Sequence, residues 1–172
     1  QIRPYSQYLL VKEGNPYWRI AVLTEEAFDH ILRPMMQKTS LFLEQKGYEV
    51  EVGKFSILKK DSFQGLEERF WTGTEKIHHI ELDFLTSASF KKNGEYKIFP
   101  ELLLVFNNLI RKWNVYSDSM VLGEERLGDK LAEFMCITDY RLHTHPFSVE
   151  GRRIRAFRGN IRLGLFKDDI TR

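Results

Sequence analysis

Ile80, Leu82 and Phe84 alternate with Glu81 and Asp83, and this period of two predicts a half-buried strand near Ile77 to Phe84. Lys91-Lys92-Asn93-Gly94 follows as a basic turn of the kind that Asn-Gly favours, and beyond it the period changes. Leu102, Phe106, Leu109 and Trp113 recur at i, i+4, i+7 and i+11, which predicts a helix with one buried face. Arg111 and Lys112 then turn toward solvent near its end. Pro100 suits the first helical turn, where its missing N–H costs nothing, and Glu101 complements the positive end of the helix dipole.

Read from the start, Tyr5–Val11 and Tyr17–Leu23 are β-like runs joined by the turn-rich Lys12–Pro16, and they predict a hairpin. Thr24 reads as the cap of a helix with Glu25 and Glu26 in its first turn and an apolar stripe of Phe28, Ile31, Leu32, Met35 and Met36. Pro34 is expected to kink or end it. Val50, Val52, Phe55 and Ile57 predict a strand from Glu49 to Lys59, and Lys59-Lys60-Asp61-Ser62 with Gln64-Gly65 reads as a link. A domain boundary is therefore expected between residues 60 and 70, dividing the chain into 1–65 (ββαβ) and 66–172 (βααββ). The second part continues with a short helix from Glu124 to Phe134 carrying Leu127, Leu131 and Phe134 on one face. A strand from Ile137 to Phe147 and a strand from Ile154 to Phe166 complete it, with Gly159 as a bulge where the alternation changes phase. These orders place the chain in the α+β class.

Composition changes this picture only in places. A chain of 172 residues with 42% hydrophobic and 13% aromatic residues can pack a core. Its formal net charge of +2 carries no nucleic-acid signal by itself, so any such argument rests on where the charges sit. The single cysteine, Cys136, cannot form an internal disulfide and fits a reducing compartment, the cytoplasm. No apolar run approaches the roughly 20 residues of a membrane span, and Gln1-Ile2-Arg3-Pro4 has neither a signal peptide's apolar region nor an initiator Met, which reads as a fragment.

The chemistry concentrates near the C-terminus. Arg152, Arg153, Arg155, Arg158 and Arg162 lie between Gly151 and Leu163 without one acidic residue among them, and Arg141 lies on the partner strand. Guanidinium groups bind phosphates bidentately and stack on bases, so this ribbon suits an RNA backbone or splayed bases. A solvated edge strand guarded by its charges is the alternative. Lys91, Lys92, Arg111 and Lys112 are further candidates, against a reading as turn and helix-end charges. His143 and His145, two apart on a strand, share one face, while His78 and His79 point to opposite faces of another. Imidazole titrates near neutrality, so His143 and His145 are the general acid–base candidates. His30 reads as a surface residue. No Cys or carboxylate stands at a zinc or iron spacing, and neither a metal nor another cofactor is expected.

The order Phe84, Leu85-Thr86-Ser87, Phe90, Lys91, Gly94, Tyr96, Phe99-Pro100, Val105-Phe106, Leu109-Ile110 and Trp113-Asn114 resembles the central segment of the CRISPR guide-RNA maturation endoribonucleases, the Cas six family of the RAMP superfamily. Tyr140-Arg141-Leu142-x-Thr144 and Ala156-Phe157-x-Gly159 resemble that family's Tyr-Arg-Leu-x-Thr and Gly-Phe-x-Gly signatures, with Ala156 where Gly is usual. The resemblance implies tandem ferredoxin-like (RRM-like) domains, each incomplete here. The first would lack its opening strand and helix, and the second its closing helix and strand. It also implies binding of CRISPR repeat RNA and metal-independent cleavage of the precursor transcript by attack of a ribose 2'-hydroxyl on the adjacent phosphate. The family's usual catalytic histidine and its glycine-rich loop correspond to positions outside Gln1–Arg172. Other Cas proteins and a second copy of the chain are the further partners implied. A non-catalytic RNA-binding subunit of a CRISPR effector complex and a protein-interaction domain pairing through exposed sheet edges remain as alternatives.

Overall fold

The computed structural model describes residues 2–44, 46–71 and 79–166. The chain divides into two units, Gln1–Trp71 and Thr72–Arg172. In the first, β1 (Tyr5–Lys12) and β2 (Asn15–Val22) form an antiparallel hairpin from Tyr5 opposite Val22 to Lys12 opposite Asn15. Thr24 caps the next element as expected, its Oγ1 accepting from the Ala27 N–H at 3.1 Å. The helical run comprises α1 (Glu25–Ala27), a π turn over Phe28–Leu32 and α2 (Arg33–Met36). It continues through Pro34. The Arg33 N–H reaches back to the Phe28 carbonyl, and this widened turn makes room for the ring that would otherwise crowd the carbonyl four residues back.

β3 (Ser40–Leu43) pairs with β4 (Tyr48–Glu51), a hairpin whose first strand the alternation did not reveal. The expected strand from Glu49 to Lys59 is thereby cut short. Residues 52–62 form no regular element, and Ile57 and Leu58 are 72% and 69% exposed. A strand needs a ladder partner, and beyond the Val52 N–H, which donates to the Thr39 carbonyl at 2.7 Å, no described residue pairs with this stretch. The link expected over Lys59–Gly65 instead opens a helix, α3 (Phe63–Trp71). Ser62 starts it by accepting the Gly65 N–H on Oγ at 2.9 Å, and Asp61 is held by Arg69 at 2.6 Å. The Arg69 guanidinium keeps the Asp61 carboxyl below its ordinary pKa. Among the described residues of this unit only Ala27 is buried.

The second unit is built on a three-stranded antiparallel sheet in the order β5–β11–β8, from β5 (His79–Ala88), β8 (Met135–Thr144) and β11 (Phe157–Leu165). β6 (Phe90–Lys92) and β7 (Glu95–Lys97) form a small hairpin after β5. Asn93 and Gly94 turn it with φ of 51° and 83°, the positive pair a two-residue hairpin turn requires. Helices α4 (Leu102–Tyr116) and α5 (Leu127–Phe134) follow, and α5 runs straight into β8. Pro100 is buried and precedes α4 rather than entering its first turn; Glu101 is the N-cap, and its carboxylate takes the Lys92 ammonium at 2.5 Å. Another hairpin, β9 (Phe147–Val149) with β10 (Arg152–Ile154), separates β8 from β11.

One face of the sheet makes the core. Phe106, Ile161 and Leu163 are buried, with Ile80, Leu82, Phe84, Leu102, Ile110, Leu131, Met135, Ile137 and Leu142 packed around them. The alternation in β5 is thus the core pattern it predicted. Leu109, expected on the buried face of α4, is 50% exposed, and Val105 is buried at 5%. At the sheet's end Phe157 is fully buried, edge-to-face with Phe84 at 4.9 Å and stacked on Phe90 at 6.1 Å. The expected bulge is present, as the β11–β5 register shifts between Phe157 and Gly159. Gly159 has φ 130°, and a Cβ there would lie 1.9 Å from the Arg141 carbonyl oxygen.

Candidate nucleic-acid interface

Alternation decides which side chains share the other face of this sheet. With Ile161 and Leu163 inward, Arg158, Asn160 and Arg162 point the opposite way, and register sets Arg158 beside His143, Asn160 between Asp83 and Arg141, and Arg162 between Glu81 and Asp139. All of these residues are exposed. The two ends of the face differ in charge. Arg158 and His143 form a row without acids and Arg141 shares its row with Asn160 and Asp83, whereas Arg162 donates from Nε and Nη2 to Glu81 Oε1 at 3.0 and 2.6 Å. The Glu81 carboxylate, aided by Asp139, further favours the charged guanidinium. Arg162 is therefore the ribbon member least available to a phosphate.

Arg152 and Arg153 lie on β10, opposite Val149 and Ser148. The next residues are pinned by the chain beside them: Ser89 Oγ donates to the Arg155 carbonyl at 2.8 Å, and the His145 N–H donates to the Ala156 carbonyl at 2.9 Å. Ala156 is 1% exposed, and it is not among the residues at positive φ, so its Cβ meets no backbone strain where the family signature has Gly. Arg153 and Arg155 line an open groove with Ile98, Thr144, Pro146 and Ala156.

Of the two histidine candidates, His145 is fixed in place. Its Nδ1 lies 2.7 Å from Ser87 Oγ, a contact bridging 58 positions of sequence that only the three-strand register could bring about. A hydroxyl can donate to an imidazole nitrogen or accept from its N–H, so this contact orients the ring in either tautomer. His143 sits across from Arg158 without such a support. His30 Nδ1 lies 2.8 Å from the Glu26 carbonyl, and His79 is exposed at the start of β5; His78 lies outside the described residues.

The remaining cations are not gathered here. Lys92 is paired with Glu101, and Lys91 lies 5.7 Å from the Tyr96 ring centroid, a cation–π contact. Arg111 and Lys112 are exposed on α4, the helix covering the sheet's core side, and so stand apart from the face bearing Arg141 and Arg158. Among the described residues no group of three or more His, Cys, Asp or Glu side chains is placed to hold a metal ion, and no helix is long and apolar enough to cross a membrane.

Comparison with known proteins bears on the same segment. The family model described as CRISPR-associated endoribonuclease Cas6 matches residues 82–172. A CRISPR-associated endoribonuclease Cas6 of Streptococcus thermophilus is 30% identical over 161 residues, covering 94% of this chain and 65% of that protein. One from Mycobacterium tuberculosis (strain CDC 1551 / Oshkosh) is 30% identical over 165 residues, 92% of this chain and 51% of that protein. The chain thus spans between half and two thirds of the length of these curated relatives. Among solved structures, a Cas6 product complex matches with a TM-score of 0.74 at 17% identity over 95% of this chain and 67% of that one. A Cas6 substrate mimic complex matches with a TM-score of 0.71 at 18% identity over 96% and 70%. At such identity the structures establish the fold, the α+β ferredoxin-like architecture, and since the family model covers more than half of the residues, the chain belongs to the CRISPR-associated endoribonuclease Cas6 family.

Proposed function

We propose that this chain binds CRISPR repeat RNA and forms part of an endoribonuclease that cleaves the precursor transcript without a metal ion. The observation that carries the reading is the set of exposed cations, Arg141, His143 and Arg158 on the sheet face and Arg152, Arg153 and Arg155 on the segment before β11, none of which has an ion-pair partner among the described residues. Arginine forks match phosphate oxygens and hold an RNA backbone by shape and charge. The relatives' names as CRISPR-associated endoribonucleases, and the product and substrate mimic complexes of the matching folds, support the same substrate class.

In the reaction proposed, a base takes the proton of a ribose 2'-hydroxyl as its oxygen attacks the adjacent phosphorus. The bond from phosphorus to the 5'-oxygen breaks, that oxygen is protonated by an acid, and a 2',3'-cyclic phosphate and a 5'-hydroxyl result. No electron is gained or lost and no cofactor is needed. His145, oriented by Ser87, and His143 are the candidates on this chain for moving a proton. The proposed setting is the cytoplasm, and other Cas proteins or a second copy of the chain are partners to test by analytical ultracentrifugation.

The test is incubation of a labelled repeat hairpin with this chain, and separately with the intact gene product, in EDTA, with products resolved on a denaturing gel. Cleavage in EDTA leaving a cyclic phosphate is the expected result. Cleavage that requires a divalent ion, or RNA affinity that does not vary with salt, would sink the proposal. A mobility shift without cleavage by either protein would make this a binding subunit.

A further inference from the structure

β8 is an edge strand of the described sheet, and beyond Met135 and Ile137, which enter the core, the side chains on its helix-facing side are Tyr140, Leu142 and Thr144. Leu142 enters the core, but Tyr140 remains 59% exposed and meets Phe99, itself 43% exposed, edge-to-face at 5.8 Å. About 13 Å further along the strand, Thr144 joins Ile98, Pro146, Ala156, Arg153 and Arg155 around a groove of about 520 Å³. Its floor is apolar and two guanidiniums without ion-pair partners among the described residues stand on its rim. This surface is distinct from the polar sheet face of Arg141, His143 and Arg158, because strand alternation points the two sets in opposite directions.

A paired A-form stem offers a protein its backbone and a shallow minor groove, and has no use for an apolar floor. An unpaired nucleotide does: its base stacks on aromatic or aliphatic surface while its phosphate takes a guanidinium. We propose that this edge groove binds unpaired nucleotides flanking the repeat stem, one base lying on Ile98 and Pro146 between Arg153 and Arg155, and another, about two nucleotides along the strand, stacked on Tyr140. The inference rests on the repeat-RNA reading and assigns the unpaired part of that RNA to its own site.

Two fluorescent probes test it with the intact chain: a blunt repeat hairpin, and the same hairpin with four unpaired nucleotides on each side, one flank nucleotide being 2-aminopurine. The wild type should bind the flanked probe more tightly and quench its 2-aminopurine. Tyr140→Ala and Ile98→Asp both alter exposed side chains, and their folding is checked by circular dichroism. Each should weaken the flanked probe about fivefold or more, the lower end of one lost base stack, and leave the blunt probe unchanged. Arg158→Ala, on the other face, should weaken both probes alike. Equal losses on both probes, or none on either, would overturn the site, and a change in oligomeric mass in Ile98→Asp would then give the groove to a protein partner. Wild type that binds neither probe would remove the RNA reading itself, and this site with it.

Discussion

Replacing Arg153, Arg155 and Arg158 together by Ala removes three guanidiniums without ion-pair partners among the described residues, while Arg162→Ala removes one already held by Glu81. The difference is measurable through salt. Each phosphate neutralised by a protein cation releases counterions, giving about 0.7 to 0.9 units of slope in log K against log salt. Three lost contacts should lower the slope by roughly 2 to 3. Between 50 and 200 mM KCl, the conditions for a fluorescence anisotropy titration, each contact accounts for about a threefold change. Over that range wild-type affinity should therefore fall roughly 20- to 40-fold more than that of the triple variant. Arg162→Ala should keep the wild-type slope within about 0.3. A triple variant whose slope stays within about one unit of wild type, or an Arg162→Ala loss equal to one third of the triple's, would refute the assignment of phosphate contacts.

Two glycine substitutions separate backbone from side-chain constraint. A Cβ on Gly159 or on Gly128 would each fall 1.9 Å from a neighbour, but the neighbour is the Arg141 carbonyl in one case and the Asn107 side chain in the other. Gly159→Ala, which also carries φ 130°, should cost about 3 kcal/mol or more in urea unfolding. Gly128→Ala should stay within about 1.5 kcal/mol, since Asn107 can rotate and Ala favours the helix; equal costs would contradict the distinction. Asp61 should titrate below its ordinary value of 3.8, chiefly because Arg69 hydrogen-bonds its charged form. Its contribution to α3 is then present above that value and lost as pH falls through the lowered pKa, and Arg69→Ala should move the carbon-13 titration midpoint of Asp61 upward.

Local signals were readable where one short stretch decides the structure. Thr24, Asn93-Gly94 and the phase change at Gly159 each specify a cap, a turn or a bulge by their own backbone preferences. Periodicity reports which side of an element is apolar, but not what stands opposite. Phe55 and Ile57 extend the apolar pattern of Val50 and Val52 as a strand would, yet past Val52 no neighbour completes a ladder among the described residues. Leu109 falls in angle between Leu102 and Val105 on α4 and is still half exposed, because the three described strands cover only part of that face. The site shows the same limit. The arginines were visible as a run in one stretch, whereas Ser87 beside His145 and Glu81 beside Arg162 join residues 58 and 81 positions apart through strand register.

That register also explains why an arginine-rich stretch without acids is not a uniform surface. Glu81 and Asp139 flank Arg162 at one end of the sheet face, Asp83 shares the middle row with Asn160 and Arg141, and Arg158 and His143 occupy the other end, so an RNA backbone entering from the basic end meets net negative charge after about two rows of residues. Glu81 should thus act against binding. Glu81→Gln keeps the shape and an acceptor for Arg162 but removes one negative charge, and because the pair is exposed its loss should scarcely alter folding. RNA affinity at 50 mM salt should rise about threefold, with a slope steeper by up to roughly 0.9, the signature of one added phosphate contact. If the gain comes from freeing Arg162, then Arg162→Ala, silent in the wild type, must abolish it in the Glu81→Gln background. An additive result, in which the gain survives without Arg162, would mean that Glu81 repels RNA directly. No gain at all would mean that the RNA never reaches this end of the sheet.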